Sequence, residues 1–272
     1  MKAKHKKLLA RTGATVLITL ILLFVSVPSV VVIMSAFNST AILSFPPQDL
    51  SLRWFERAVT YRDFQRGFIN GLIVTAWTSG IALVIGTALA YAIDRFQFRG
   101  KDLLETILLS PLVIPHFTIG LGVLMLASQV SMRGSFATVI LAQVILVLPF
   151  VLRSVYVSLR NLDRRYELAA ASLGASPLQV LLRVDLPLLL PGMFGGWLFA
   201  AILSFNEFSA ALFVTSHATQ TLPVAMYTYV REYTDPTMAA ISTIFIVTTS
   251  ITLVLANRFL GLRKVLAIEE SK

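Results

Sequence analysis

The sequence predicts an all-α membrane protein with six transmembrane helices. Three observations lead there. The chain has 272 residues, of which 56% are hydrophobic and 14% charged, whereas a soluble domain carries about 25% charged residues. The charges are not scattered. Charge-free runs lie between Arg11 and Asp49, at Gly67–Ile93, Thr106–Met132, Gly134–Leu152 and Leu186–Asn206, and between Pro236 and Asn257. Most approach or exceed the roughly 20 helical residues that cross a hydrocarbon core. Finally, of the 23 Lys and Arg residues, seventeen fall on the odd side of the predicted spans and six on the other. By the positive-inside rule this puts both termini in the cytoplasm. The net charge of +9 is therefore read as topology, and nucleic-acid binding is set aside.

The elements follow in order, within a single transmembrane domain over 1–272. Span 1 covers residues 13–37; its apolar run is too long for a cleaved signal peptide. In SLRWFERAV, Leu52, Phe55 and Val59 recur at helical spacing. This predicts a short helix at the outer interface with Trp54 and Tyr61 as headgroup anchors. Span 2, 68–93, is rich in Gly and Ala, which allow close helix packing in lipid. Span 3, 103–127, holds Pro111 and Pro115, each of which removes a backbone hydrogen bond and breaks or kinks the helix. Broken helices are tolerated at membrane depth only where protein or a cavity covers them, so span 3 is expected to line something. Span 4 covers 136–159, span 5 covers 188–214, an outer loop covers 215–235 and span 6 covers 238–260.

Residues 160–187 stand apart. Tyr166, Ala169, Ala170 and Leu173 share one shallow helical face. Gly174 is placed to end that helix in a left-handed conformation. Ser176, Pro177 and Gln179 form a capping box that starts another, expected to run to Asp185 and stop at Leu186-Pro187. The segment is thus a rigid helix–turn–helix elbow on the cytoplasmic side, either an amphipathic elbow resting on the membrane surface or a shallow, small-residue knob for a partner.

This stretch resembles the EAA loop of binding-protein-dependent ABC importer permeases. Ala169, Ala170, Gly174, Val184, Leu186 and Pro187 fall in register with that pattern. One departure is clear: Leu168 occupies the motif's glutamate position and the acid, Glu167, comes one residue earlier. The resemblance implies a type I importer permease fold whose 160–187 loop is a coupling helix. Glu167, Ala169, Ala170, Gly174, Ala175, Ser176 and Pro187 are its ATPase-coupling residues. It also implies two ATP-binding cassette subunits, a second permease subunit (a heterodimer in polyamine-type relatives), an outer solute-binding protein, and location in a bacterial inner membrane. The chain has no phosphate-cradling G-x-x-x-x-G-K-[ST] loop, so ATP-Mg belongs to the partners. No cofactor and no metal site are expected in this chain, and no catalytic residue.

FPPQDLSLRWF at 45–55 and residues 204–246 further resemble the spermidine/putrescine (polyamine-type) subfamily. The candidate substrate-path residues are Glu207, Asn206 and His116. A carboxylate inside a span costs roughly 2.5–3.5 kcal/mol on insertion scales, so Glu207 faces a cavity or a structural partner. Relatives of this type commonly carry Asp-Glu where this chain has Asn206-Glu207, and a Glu where it has His116. Fewer negative charges leave open a zwitterionic amine, such as aminoethylphosphonate or an opine. The reading from another class is an ATP-independent secondary transporter, which predicts inverted repeats; none is evident. An intramembrane serine protease would need a Gly-x-Ser nucleophile near a His, and Gly174-Ala175-Ser176 lies in the inner loop, away from His116 and His217. The resemblance also implies alternating access, the elbow carrying ATPase closure to spans 3 to 5.

Overall fold

The computed structural model describes residues 2–41, 45–47 and 49–260, with side chains from Thr12 onward except for parts of the last helix. The basic side chains up to Arg11, and Arg258, Arg263, Lys264 and Lys272 (all part of the charge count) lie outside these. The described chain is helical: α1 Lys2–Ser35, α2 Arg53–Thr60, α3 Arg62–Arg95, α4 Lys101–Leu109, α5 His116–Gln129, α6 Phe136–Asn161, α7 Arg165–Ser172, α8 Pro177–Val180, α9 Leu186–Phe205, α10 Ala211–Val214, α11 Leu222–Glu232 and α12 Thr237–Leu260. An isolated antiparallel bridge joins Asn38 to Leu50.

Among the described residues, four helices are long and apolar enough to cross a membrane: Thr12–Ser35, Arg62–Arg95, Phe136–Asn161 and the continuous Pro177–Phe205. Lys101–Leu112 and His116–Gln129 meet at a bend of 106° and give a fifth if taken as one span. The bend falls at the two prolines, as expected, with a single 3-10 turn over Ser110–Leu112 between the helices. The sequence predicted six spans; the described apolar part of α12, Thr237–Ile251, is shorter than a span.

The chain packs as two units. One is drawn from Met1–Tyr61 and Thr228–Phe259, the other is Arg62–Tyr227. In the first unit the indole of Trp54 is only 5% exposed, and its Nε1 donates to the Asn38 carbonyl at 2.7 Å. Trp54 is therefore a core residue of its unit and not a headgroup anchor. Helix α2 buries the Trp54/Ala58 face, while Leu52 and Val59 are exposed. The Leu52/Val59 periodicity holds as an exposed face; Trp54 lies off it, and its buried indole N–H needs an acceptor, which Asn38 supplies. Tyr61 packs edge-on against Tyr229, ring centroids 5.0 Å apart. Asp235 pairs with Arg57 at 3.3 Å and accepts from the Tyr229 hydroxyl.

In the second unit α3, α6 and α9 form the core, with Ala82, Ala90, Ile93, Val147, Val151, Val155, Leu189 and Ala200 buried among them. Small residues set the spacing. A Cβ on Gly86 would meet Val151 at 2.9 Å, and one on Gly192 would collide with Ser158 Oγ. The Ser154 hydroxyl donates to the Gly192 carbonyl at 2.8 Å across the same contact. Asn70 of α3 donates to the carbonyls of Ala218 and Gln220, pinning the loop that follows α10. The loop read over 215–235 contains the eleven-residue α11.

Candidate functional site

Two regions carry the predicted site residues, both within the second unit. At the inner end, the elbow forms much as its sequence dictates. Helix α7 ends at Ser172, Gly174 takes φ +85°, and Ser176 and Gln179 make the reciprocal capping box at the start of α8. The second arm departs from expectation. It does not stop at Leu186-Pro187 but runs on through one wide π turn, Leu181–Asp185, into α9. The Leu186 N–H reaches back to the Leu181 carbonyl, and that wider turn relieves the clash a proline makes with the carbonyl four residues earlier. Pro187 thus sits in the first turn of α9 instead of ending the elbow.

The elbow exposes large apolar side chains. Leu173 is 89% exposed and Leu168 67%, with Tyr166 and Leu178 exposed beside them. None of α7 is buried, although Glu167 and Ala170 are half-buried. Glu167 turns inward and ion-pairs with Arg95 at the end of α3, and the same guanidinium also pairs with Asp94. Arg164 approaches Asp94 at 3.7 Å. Asp185, in the π turn, is fully buried and accepts from the Tyr91 hydroxyl at 3.1 Å. Burial holds the Glu167 carboxyl above its ordinary range; Arg95 pulls the other way, and Asp185 adds to the rise. The sequence reading found Glu167 but missed Asp94, Arg95 and Asp185. Their signal was available: charged residues at the very end of an apolar run must find partners or water.

At the second region the structure brings all three substrate-path candidates to one cavity of about 220 Å³, lined by His116, Asn206 and Glu207 with Phe150, Leu203 and Phe208 among its apolar walls. Span 5 was expected to be continuous over 188–214. Instead α9 ends at Phe205, the chain turns, and α10 begins at Ala211. Glu207 makes this break. Its Oε1 accepts from the Ala210 N–H at 3.0 Å and its Oε2 from the Ala211 N–H at 2.8 Å, satisfying donors that a helix start leaves open. His116 is the first residue of α5, immediately after the proline bend, and its Nδ1 lies 3.5 Å from Glu207 Oε1. Glu207 is buried while the His116 side chain is half exposed. Asn206 Nδ2 donates to the Ile202 carbonyl at 2.8 Å. Glu207 is thus a cap as well as a charge; a carboxylate has about four acceptor positions, so the cavity still meets a negative group. A second polar cluster, not anticipated, lies where α3, α6 and α9 meet: Ser204 Oγ contacts Gln143 Oε1 at 2.5 Å and Thr75 Oγ1 at 3.3 Å.

The bent span was expected from its two prolines, and the elbow from the sequence resemblance. Residues 82–263 match the family described as binding-protein-dependent transport system inner membrane component. The chain belongs to that family. It is thus an inner-membrane permease of the ABC importer type. Among curated relatives, the spermidine/putrescine transport system permease protein PotC of Escherichia coli is 26% identical over 243 residues, 89% of this chain and 91% of that protein. The putrescine transport system permease protein PotI of Escherichia coli is 29% identical over 82% of each chain. The molybdate/tungstate transport system permease protein WtpB of Pyrococcus abyssi is 29% identical over 71% of this chain and 77% of its own. A bacterial ABC transporter involved in the import of the acidic polysaccharide alginate superposes with a TM-score of 0.71 at 16% identity, covering 91% of this chain and 95% of that one. The inward-facing MetNI methionine ABC transporter gives 0.57 at 21% identity, covering 76% and 96%. These structural likenesses establish the importer permease fold, not the solute.

Proposed function

We propose that this permease carries a small amine, with spermidine and putrescine as the first candidates, through a path that includes the His116–Asn206–Glu207 cavity. The observation that carries the reading is the buried Glu207 carboxylate facing a cavity with apolar walls, the complement of a cation with an aliphatic stem. The PotC and PotI likenesses support it. A second reading is a zwitterionic amine, such as aminoethylphosphonate or an opine. It is favoured by His116 lying 3.5 Å from Glu207 and by an amide at Asn206, which together make the cavity less acidic than two carboxylates would.

In this reading the chain crosses the membrane six times as a single permease domain with both termini cytoplasmic; α12, 24 residues long, reaches about 36 Å at about 1.5 Å per residue. It pairs with a second, different permease. Two ATP-binding subunits holding ATP-Mg dock on the elbow, and an outer solute-binding protein delivers the solute. ATP binding closes the ATPases, the elbow moves, and the path alternates between outer and inner access. The coupling residues are Glu167, Ala169, Ala170, Gly174, Ala175, Ser176 and Pro187.

The test is uptake of labelled putrescine and spermidine by cells with and without the chain, in competition with aminoethylphosphonate and an opine. Uptake dependent on the chain and resistant to the zwitterions supports the polyamine reading. Polyamine exclusion with zwitterion entry moves the assignment to the second. Gly174→Asp is expected to abolish uptake without loss of membrane insertion, since a Cβ there meets open space and only the left-handed backbone and the docking face are disturbed. Normal uptake by that variant would remove the elbow from the mechanism.

A further inference from the structure

The elbow is flanked in sequence by α6 and α9, so motion is naturally imagined to leave along those helices. The side chains tell of another connection. Both arms of the elbow are held by the inner end of α3. The first arm is held through Arg95, which is 10% exposed and bridges Glu167 and Asp94 with two different nitrogens. The second is held through Tyr91, whose hydroxyl binds the buried Asp185 of the π turn. Tyr91 and Arg95 are four residues apart, one helical turn, so they lie on one face of α3. The whole of α3, 34 residues, contains no proline, and from Tyr91 and Arg95 to Gly71 and Phe68 it spans about 30–40 Å at about 1.5 Å per residue. Its outer part touches the end of α9: the Phe68 and Phe205 rings meet edge to face at 5.8 Å, and a Cβ on Gly71 would lie 3.1 Å from the Phe205 ring. Phe205 immediately precedes Asn206 and Glu207 of the cavity.

We propose that α3 is a rigid strut between the elbow and the cavity, gripped at its inner end by the Arg95–Glu167 and Tyr91–Asp185 contacts and bearing at its outer part on Phe205, next to the α9–α10 break. Arg95, Glu167 and Tyr91 are positioning residues in this scheme: they touch neither solute nor nucleotide. The glutamate that the family motif would present to the ATPase is replaced by exposed Leu168, and the acid is turned inward to the strut. Docking and transmission are thereby divided between the two faces of α7. A strut of this kind has two ends that can be biased together, which is the physical requirement for coupling.

The proposal rests on the elbow being the ATPase contact, and the experiment separates the two. In the complete transporter in lipid discs, the ratio of solute moved to ATP hydrolysed is measured for Glu167→Gln, Tyr91→Phe and Leu173→Asp. The strut predicts that Glu167→Gln and Tyr91→Phe each lower that ratio by about fivefold or more, the lower end of ordinary coupling factors, while the ATPases stay associated. Glu167→Asp, which keeps the charge, recovers part of the loss. Ratios within twofold of wild type for both variants overturn the strut. Leu173→Asp reads the elbow itself: retained ATPase association and normal uptake would overturn the docking reading, whatever the other two show. Should Glu167→Gln reduce folding, a second arm remains, because the chain has no cysteine. Arg95→Cys with Glu167→Cys, joined by a short bifunctional thiol reagent, replaces the ion pair with a covalent link. Recovery of the transport ratio on cross-linking supports the strut, and no recovery overturns it.

Discussion

The elbow at 160–187 and the break at 205–211 both interrupt helix, yet they place charge and apolar surface in opposite ways. In the elbow, leucines face outward and the carboxylate faces in, toward Arg95. In the break, the apolar side chains wall a cavity and the carboxylate is spent on backbone N–H groups at its edge. An exposed apolar knob with an ionic root suits a contact that a partner must cover. A capped carboxylate in an apolar cavity suits a fixed negative group that does not need to move. The difference also predicts how each region fails. Damage to the break destabilises the fold, whereas damage to the elbow's outer face leaves the fold intact.

The largest expected effect on stability is at Glu207. Glu207→Leu leaves the Ala210 and Ala211 N–H groups buried without an acceptor, at about 1–3 kcal/mol each. Thermal unfolding of the detergent-solubilised complex should fall accordingly, and far more than for Leu173→Asp, whose exposed position predicts a change within about 0.5 kcal/mol. Equal losses for the two variants would erase the contrast. A smaller effect separates two glycines. Gly192→Ala drives a methyl into Ser158 and costs about 1–3 kcal/mol of overpacking. Gly174→Ala meets open space and costs only the left-handed conformation, about 1–2 kcal/mol, so its deficit should appear in uptake more than in unfolding temperature.

The smallest effect is a pH dependence of opposite sign at two acids outside the spans. Burial, with Asp185 beside it, raises Glu167 above its ordinary 4.5 despite the opposing pull of Arg95. A raised carboxyl contributes stability that is full below about 4.5 and is lost as pH rises through the higher folded value. Asp235 behaves in reverse. Burial alone would raise it, but hydrogen bonds from Thr237 and Tyr229 and the charge of Arg57 outweigh burial and lower it from 3.8. Its contribution is full above about 3.8 and is lost as pH falls through the lower folded value. Unfolding temperatures measured from about pH 3 to about pH 7 should therefore lose their slope above 4.5 in Glu167→Gln, and below 3.8 in Asp235→Asn. A slope unchanged in either variant would remove that acid from the account.

How much was legible follows from which interactions are local. Helix positions, the proline bend at 111–115, the Gly174 turn and the Ser176 capping box are set by periodicity and by single-residue backbone chemistry, so they could be read from neighbours in the chain. The continuity of α8 into α9 was misread because a proline was treated as a stop. The π turn upstream is a response of the folded helix that no residue type announces. The role of Trp54 was misread because Asn38, which accepts from it, lies sixteen residues away.

By itself the sequence determined that the chain crosses a membrane as helices and that it carries an importer-type elbow, and it offered Glu207, Asn206 and His116 as candidates. Only the tertiary structure decided that those three share one cavity, that Glu207 caps the helix after it, and that Glu167 faces Arg95 instead of solvent. The reason is physical. Apolar length and turn chemistry act over a few residues, whereas a buried charge is satisfied by whatever group packing brings within a few ångströms, and that group can come from anywhere in the chain.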